Sequence, residues 1–165
     1  MDFSKAFQYK KWANNELLDI GEQQYSIFPE SDATFFVRIL NHTTVVDSLF
    51  ISRILGEPEK YSGDNTVETP TISKLREIMN QNDSWLVQYT ENASKEDLEK
   101  VVSFKFVDGE TGKMSVEEML LHLLTHGSNH RGMASRVLAE NNLERPKDTF
   151  TRYLHQLEPS RRVGG

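Results

Sequence analysis

The sequence predicts an all-α protein, a four-helix bundle with a small β-hairpin between the third and fourth long helices. Three observations lead there. Four stretches of roughly 20 residues carry apolar side chains at helical spacing. Proline, glycine and clustered polar residues separate them. The 165 residues suit one domain, which at this size buries about two-thirds of its unfolded surface. A single domain over residues 1–158 is expected, with 159–165 as a flexible tail.

The first helix is expected over residues 3–22, where Phe3, Ala6, Phe7, Leu17 and Ile20 recur at helical spacing, with Trp12 and Ala13 between them. Ser4 or Asp2 is a candidate cap for its start. Pro29 and Ser31-Asp32 interrupt and re-cap the chain. A second helix follows over about 33–55, with Phe36, Ile39, Val46, Leu49 and Phe50 on one stripe. Gly56 then ends it, since a glycine just past the last turn accepts the left-handed conformation. Residues 57–71 hold two prolines, a glycine and many polar groups, which predicts a long surface loop. The third helix is expected over 72–92, with Leu75, Ile78, Trp85, Leu86 and Tyr89 on its apolar face. Ser94 and Asp97 predict a short helical turn. Residues 101–107 alternate and are rich in β-formers, and Asp108-Gly109 begins a turn. That is a hairpin ending near Met114, too small to set the fold. Ser115 and Glu118 have the spacing of a capping box, in which each side chain satisfies a free backbone N–H of the other. It opens the longest helix, 116–140, and residues 149–157 form a last short one.

Composition narrows the function. No cysteine is present, so any metal must be held by imidazole and oxygen. The formal charge is −6, and the nearest basic cluster is the pair Arg161-Arg162. A duplex-binding surface, which neutralises many phosphates, is not expected. No apolar run approaches the roughly 20 residues needed to cross a bilayer. Residues 1–7 lack a signal-peptide pattern, so a soluble cytoplasmic protein is expected.

Three of the five histidines fall in one line: His122, His126 and His130, within HLLTHGSNHRGM. On an α-helix each lies about 40° round and about 6 Å beyond the last. With His126 at zero, Met133, Met119, Val137, Leu123, Leu120 and Leu138 cover an apolar arc from about −20° to about 120°. His126 and His130 fall inside that arc, and His122 lies at its edge. Two buried imidazoles need partners, because an unsatisfied buried polar group costs roughly 1–3 kcal/mol. A metal satisfies two at once. The outer pair, His122 and His130, is about 12 Å apart along the axis, so a third ligand is expected from another helix. His42, in RILNHTTVVD, lies on the apolar stripe of the second helix and is the candidate. The expected ligands are therefore His42, His126 and His130, with an open fourth position of the kind reactive sites keep. His122 is read as a flanking group that orients a ligand, and His155 as a solvated residue. Zincin chemistry is excluded, because Gly127 stands after His126 where that motif needs a glutamate.

The block HLLTHGSNHRGM resembles the signature helix of the DinB-like superfamily, whose usual form is close to H-x3-H-x3-H-R-G-Q. Tyr9, Trp12 and Asn14 and the segment LNHTTVVD around His42 are similar to that family's first and second helices. The resemblance covers residues 9–153. It implies a bundle of up-down-down-up topology, often dimeric, with a divalent metal, zinc or nickel, on His42, His126 and His130. Met133 stands where the family commonly has glutamine, so whatever hydrogen bond that glutamine supplies is absent here. Family relatives include thiol-dependent transferases and isomerases.

A dication on three neutral imidazoles would lower the pKa of a bound thiol below its free value of about 8.5. The leading expectation is therefore a metal-dependent thiol S-transferase, with a low-molecular-weight thiol as cosubstrate and a small electrophile as substrate. A hydrolase results if water takes the thiol's place. Asp47, Tyr9 and Asn129 are all candidates for a general base. Tyr9 and Trp12 are read mainly as core aromatics. Arg131 either orients an anionic group or forms a structural ion pair. The rival expectation is a non-catalytic metal-binding or stress-response interaction protein.

Overall fold

A computed structural model describes residues 3–162 of the chain. The candidate cap Asp2 and residues 163–165 of the expected tail lie outside the described residues. Among the described residues there are six α-helices and one hairpin: α1 (Phe3–Gln24), α2 (Glu30–Leu55), α3 (Ile72–Asn92), α4 (Lys95–Glu99), β1 (Val101–Lys105), β2 (Thr111–Ser115), α5 (Val116–Glu140) and α6 (Phe150–Leu157). Among the described residues no helix is long and apolar enough to cross a membrane.

The long helices α1, α2, α3 and α5 form the bundle, and their directions follow from which residues meet. Along α1 and α3, Gln8 meets Glu91, Lys10 meets Asp83 and Glu22 meets Arg76, so these two run antiparallel. Along α2 and α5, Asp32 meets Asn141 while Phe50 meets His122, again antiparallel. Along α1 and α5, Asn14 meets Arg131, and Leu17 and Leu18 share a core with Val137 and Leu138, while Phe3 and Phe7 share one with Met119 and Leu120. These two therefore run parallel, as do α2 and α3, and the order is up-down-down-up. The loop at 57–71 makes the crossover that lets α2 and α3 point the same way.

Local chemistry sets most ends. Gly56 closes α2 with φ 71°, a left-handed conformation, and its N–H bonds back to the Arg53 and Ser52 carbonyls. Ser94 with Asp97 and Ser115 with Glu118 form complete capping boxes. Two expectations at helix starts do not hold. Ser4 lies inside α1, where its hydroxyl accepts from Gln8 instead of capping. Ser31 and Asp32 lie inside α2, which begins at Glu30 directly after Pro29. Proline fixes its own backbone angle near the value required at a helix start. The helix therefore begins earlier, without a side-chain cap, and Glu30 and Asp32 complement the dipole of its first turn.

The hairpin pairs Val101 with Ser115 and Lys105 with Thr111. It seats Phe104 edge-on against Phe50 and under the Arg53 guanidinium, 4.3 Å from the ring centre. It therefore closes one end of the bundle, with Phe104 reaching into the core.

The apolar core is in two parts. One holds Leu17, Leu18, Phe36, Leu40, Leu75, Met79, Val137 and Leu138. The other holds Phe3, Phe7, Phe50, Leu86, Phe104, Met119, Leu120 and Leu123. On every long helix buried polar residues lie between the two parts or at their boundary: Lys10 and Asn14 on α1, Asn41, Thr43, Thr44 and Asp47 on α2, Asp83 on α3 and Arg131 on α5. The buried stripe of α1 runs Phe3, Phe7, Lys10, Asn14, Leu17 and Gly21, so Lys10 and Asn14 occupy inward positions. On α3 the stripe passes through Met79 and Asp83, with Trp85 and Tyr89 stacked on its flank at 4.9 Å.

Candidate metal centre

The histidines lie at the level of this polar layer, on the seam between α2 and α5. His42 is placed by α2 and oriented by the loop at 57–71. Its Nδ1 is 2.7 Å from the backbone carbonyl of Asp64. A carbonyl only accepts, so Nδ1 carries the proton and Nε2 presents its lone pair. The loop is held to α2 by several bonds. The Asn41 side-chain amide donates to Asn65 Oδ1 and Thr66 Oγ1, at 2.5 and 2.7 Å. Asn65 donates to the Arg38 carbonyl, and the Arg38 guanidinium donates to the Thr66 carbonyl. A segment expected to be a surface loop thus fixes the tautomer of a candidate ligand.

The three expected ligands come together. His42 Nε2 lies 3.1 Å from His126 Nε2, which lies 3.0 Å from His130 Nε2. These residues form a group that could hold a metal ion, with ligand atoms all within 4.8 Å of one another. The residues fit such an ion on two grounds. First, one proton on His126 Nε2 cannot make full hydrogen bonds to both neighbours, and His42 Nε2 has none to give. A cation among the three lone pairs resolves that conflict. Second, imidazole nitrogens each about 2.0–2.1 Å from one tetrahedral ion stand about 3.3–3.4 Å apart, only a few tenths of an ångström beyond the spacing found. The Nδ1 atoms of His126 and His130 are buried without a protein partner, so His42 alone of the three has its ring fixed by a second hydrogen bond to the protein.

Electrostatics favour the ligating, uncharged rings. Burial, followed by the neighbouring His130, His42 and His122 and by the Lys10 ammonium, pushes His126 down to about 3. Burial and His42 also lower His130. His122 is lowered by burial and then by Arg53. As expected, His122 stands beside the triad, its ring stacked on His126 at 5.2 Å and tilted against Phe50 at 5.0 Å. Met133, placed within the apolar arc by helical projection, is 39% exposed. The buried arc is therefore narrower than its apolar residues suggest.

Among the described residues, none of the candidate general bases is hydrogen-bonded to a histidine. Asp47 is bonded to Lys10 Nζ at 2.6 Å, and Lys10 also donates to Asp83 at 2.7 Å. The two carboxylates hold Lys10 protonated against the opposing effect of burial. Burial chiefly, with Asp83 beside it, pushes Asp47 up to about 6 despite the pull of Lys10. Tyr9 donates to Asp148, and burial first, then that bond, raises its phenol to about 12. Asn129 is exposed. Arg131 forms a structural ion pair, bonding Asp148 at 2.7 Å while 2% exposed. Tyr9 and Trp12 are only half-buried; they stack with Phe150 and Tyr153 between α1 and α6, outside the main core.

Gly127 has a role besides excluding the zincin motif. A Cβ there would lie 3.2 Å from Lys10 Cε. The glycine lets the lysine stem cross beneath α5, next to His126. Lys10, Asp83 and the Asp64 carbonyl carry no recognisable sequence signal: lysine and aspartate are ordinarily surface residues, and a carbonyl belongs to every residue.

Together the fold and the site define a helical bundle with a three-histidine centre on the inner seam of two antiparallel helices. The chain belongs to the DinB family, whose sequence model matches residues 1–161. A search of curated proteins gives no match.

Proposed function

We propose that this protein is a divalent-metal-dependent enzyme, a thiol-dependent S-transferase or related hydrolase acting on a small electrophilic molecule. The observation that carries the proposal is the convergence of three imidazole Nε2 atoms with the His42 lone pair fixed by the Asp64 carbonyl. His42, His126 and His130 would hold the ion, zinc or nickel. Bound there, it supplies positive charge and an open coordination position that acidifies a thiol or a water. The chain's own groups do the rest. The Asp64 carbonyl orients His42, the burial of His126 and His130 keeps them neutral, and the His122 ring packs between those of His126 and Phe50. A low-molecular-weight thiol as cosubstrate, a homodimer and a cytoplasmic location complete the reading.

One observation favours a second reading, a non-catalytic metal-binding protein of stress response or interaction. Asp47 and Tyr9 are bonded to Lys10 and Asp148, and Asn129 faces solvent.

The first test is elemental analysis of protein purified without a histidine tag, with thermal shifts on adding Zn²⁺ or Ni²⁺. A bound divalent metal or a raised Tm is expected, because a ligand specific for the folded state stabilises it. No metal and no shift would refute the metal centre. With metal present, a panel of thiols and a generic electrophile tests turnover. Activity lost in His126→Ala is expected; activity indifferent to that substitution refutes the transferase, and metal without turnover favours the second reading.

A further inference from the structure

We propose that a basic cleft formed by the segment 145–149, α6 and the turn Pro159–Arg161 binds a small, multiply phosphorylated anion. The cleft is open to solvent and has a volume of about 980 Å³, and Arg145, Lys147, Arg152, His155 and Arg162 line it with no carboxylate among the lining residues. This is unexpected in a chain with 25 acidic and 19 basic residues.

The other arginines have partners. Arg53 pairs with Glu59, Arg76 with Asp19 and Glu22, Arg131 with Asp148, Arg136 with Glu140 and Arg161 with Glu158. Arg38 is held by the carbonyls of Thr66 and Val67. Among the described residues, the arginines left without an ion pair or a side-chain hydrogen bond are Arg145, Arg152 and Arg162, and all three line this one cleft. Lys147 joins them. Moreover, Arg152 Nε is shielded from solvent and has no hydrogen-bond partner. Buried donors are ordinarily satisfied, so this wall lacks an acceptor.

Like charges repel when gathered, and an anion in the cleft would relieve that repulsion. Guanidinium groups present planar pairs of N–H donors that match phosphate oxygens. Four cations exceed what one carboxylate or one inorganic phosphate neutralises, so the fitting ligand carries several phosphates. A duplex fits less well: the basic groups sit in one concavity of an acidic chain and form no stripe along which a backbone could run.

The site is independent of the histidines. The segment from Arg145 to Asp148 lies along Ser128, Gly132 and Ser135 of α5. Those residues are about 120–180° round the helix from His126 and His130.

Isothermal titration of the intact chain with tripolyphosphate at low salt tests the proposal. Saturable binding that weakens with added NaCl is expected. Arg145→Gln with Lys147→Gln, both exposed and outside helices, should weaken it at least tenfold, while His126→Ala leaves it unchanged. Citrate should bind at least tenfold more weakly than tripolyphosphate. Arg152→Gln, checked for an unchanged Tm, should weaken binding likewise. No binding, binding indifferent to these substitutions, or binding lost in His126→Ala would overturn the proposal. So would citrate binding equally well, or a DNA duplex that binds more tightly and displaces tripolyphosphate.

Discussion

His126 touches three other histidines: its Nε2 faces those of His42 and His130, and His122 stacks on its ring. A proton on it would be buried among potential positive charges, which is why it is pushed down to about 3 from 6.5. The sign of the pH effect follows. Between 6.5 and 3 the unfolded chain binds a proton that folded His126 does not. The stability contributed by neutral His126 is therefore present above pH 6.5 and is lost as the pH falls towards 3. His130 acts in the same direction. In metal-free protein, urea unfolding at pH 7, 5 and 4 is predicted to show a smaller loss of stability on acidification in His126→Ala than in the parent. Equal losses would mean that the ring does not carry this proton linkage. The sequence placed His126 and His130 facing inward and His122 at the margin, because helical periodicity fixes direction well. It overextended the same arc to Met133, since a projection shows which way a side chain points but not whether anything covers it.

At the scale of elements, α2 and the loop after it act as one unit. Asn41 and His42 are neighbours on α2, and Asn41 grips the loop that supplies the carbonyl bonded to His42. Outer partners of metal-ligating histidines are typically worth about 10–100-fold in metal affinity. Asn41→Ala is predicted to weaken Zn²⁺ or Ni²⁺ binding by about tenfold, measured by competition with a chromophoric chelator, while the helical circular dichroism stays at the parent level. Unchanged affinity would show that the loop does not position His42. The capping boxes at Ser94 and Ser115 and the glycine stop at Gly56 were legible because each is a local bargain between a side chain and a nearby backbone group. The start of α2 was misread at Ser31-Asp32 because Pro29 supplies the same geometry through its ring. The loop's role was hidden because it acts through a main-chain oxygen.

At the scale of the whole molecule, the bundle is two apolar cores separated by a polar layer that holds the candidate centre. Lys10 Nζ joins Asp47 to Asp83, Asn14 bonds Asp83 at 2.7 Å, and Arg131 links Asn14 to Asp148. Asp47 and Asp83 lie 37 and 73 residues from Lys10, so periodicity within one helix could not connect them; it assigned the inward face of α1 to its apolar residues alone. The layer joins four helices at the level of His126, and its energetics are asymmetric. Removing one partner of a buried ion pair costs about 3–5 kcal/mol, whereas replacing the whole group with well-packed residues is often neutral or favourable. Lys10→Met should therefore destabilise the fold by about 3–5 kcal/mol, a large share of the roughly 5–15 kcal/mol typical of a domain, because two carboxylates lose their shared cation. Adding Asp47→Leu and Asp83→Asn removes those charges and keeps an acceptor for Asn14, and should restore at least half of the loss. Urea denaturation of the parent, single and triple variants measures both steps. A single substitution without effect, or a triple variant no more stable than the single, would mean that charge burial in this layer is not what couples the helices around the histidines.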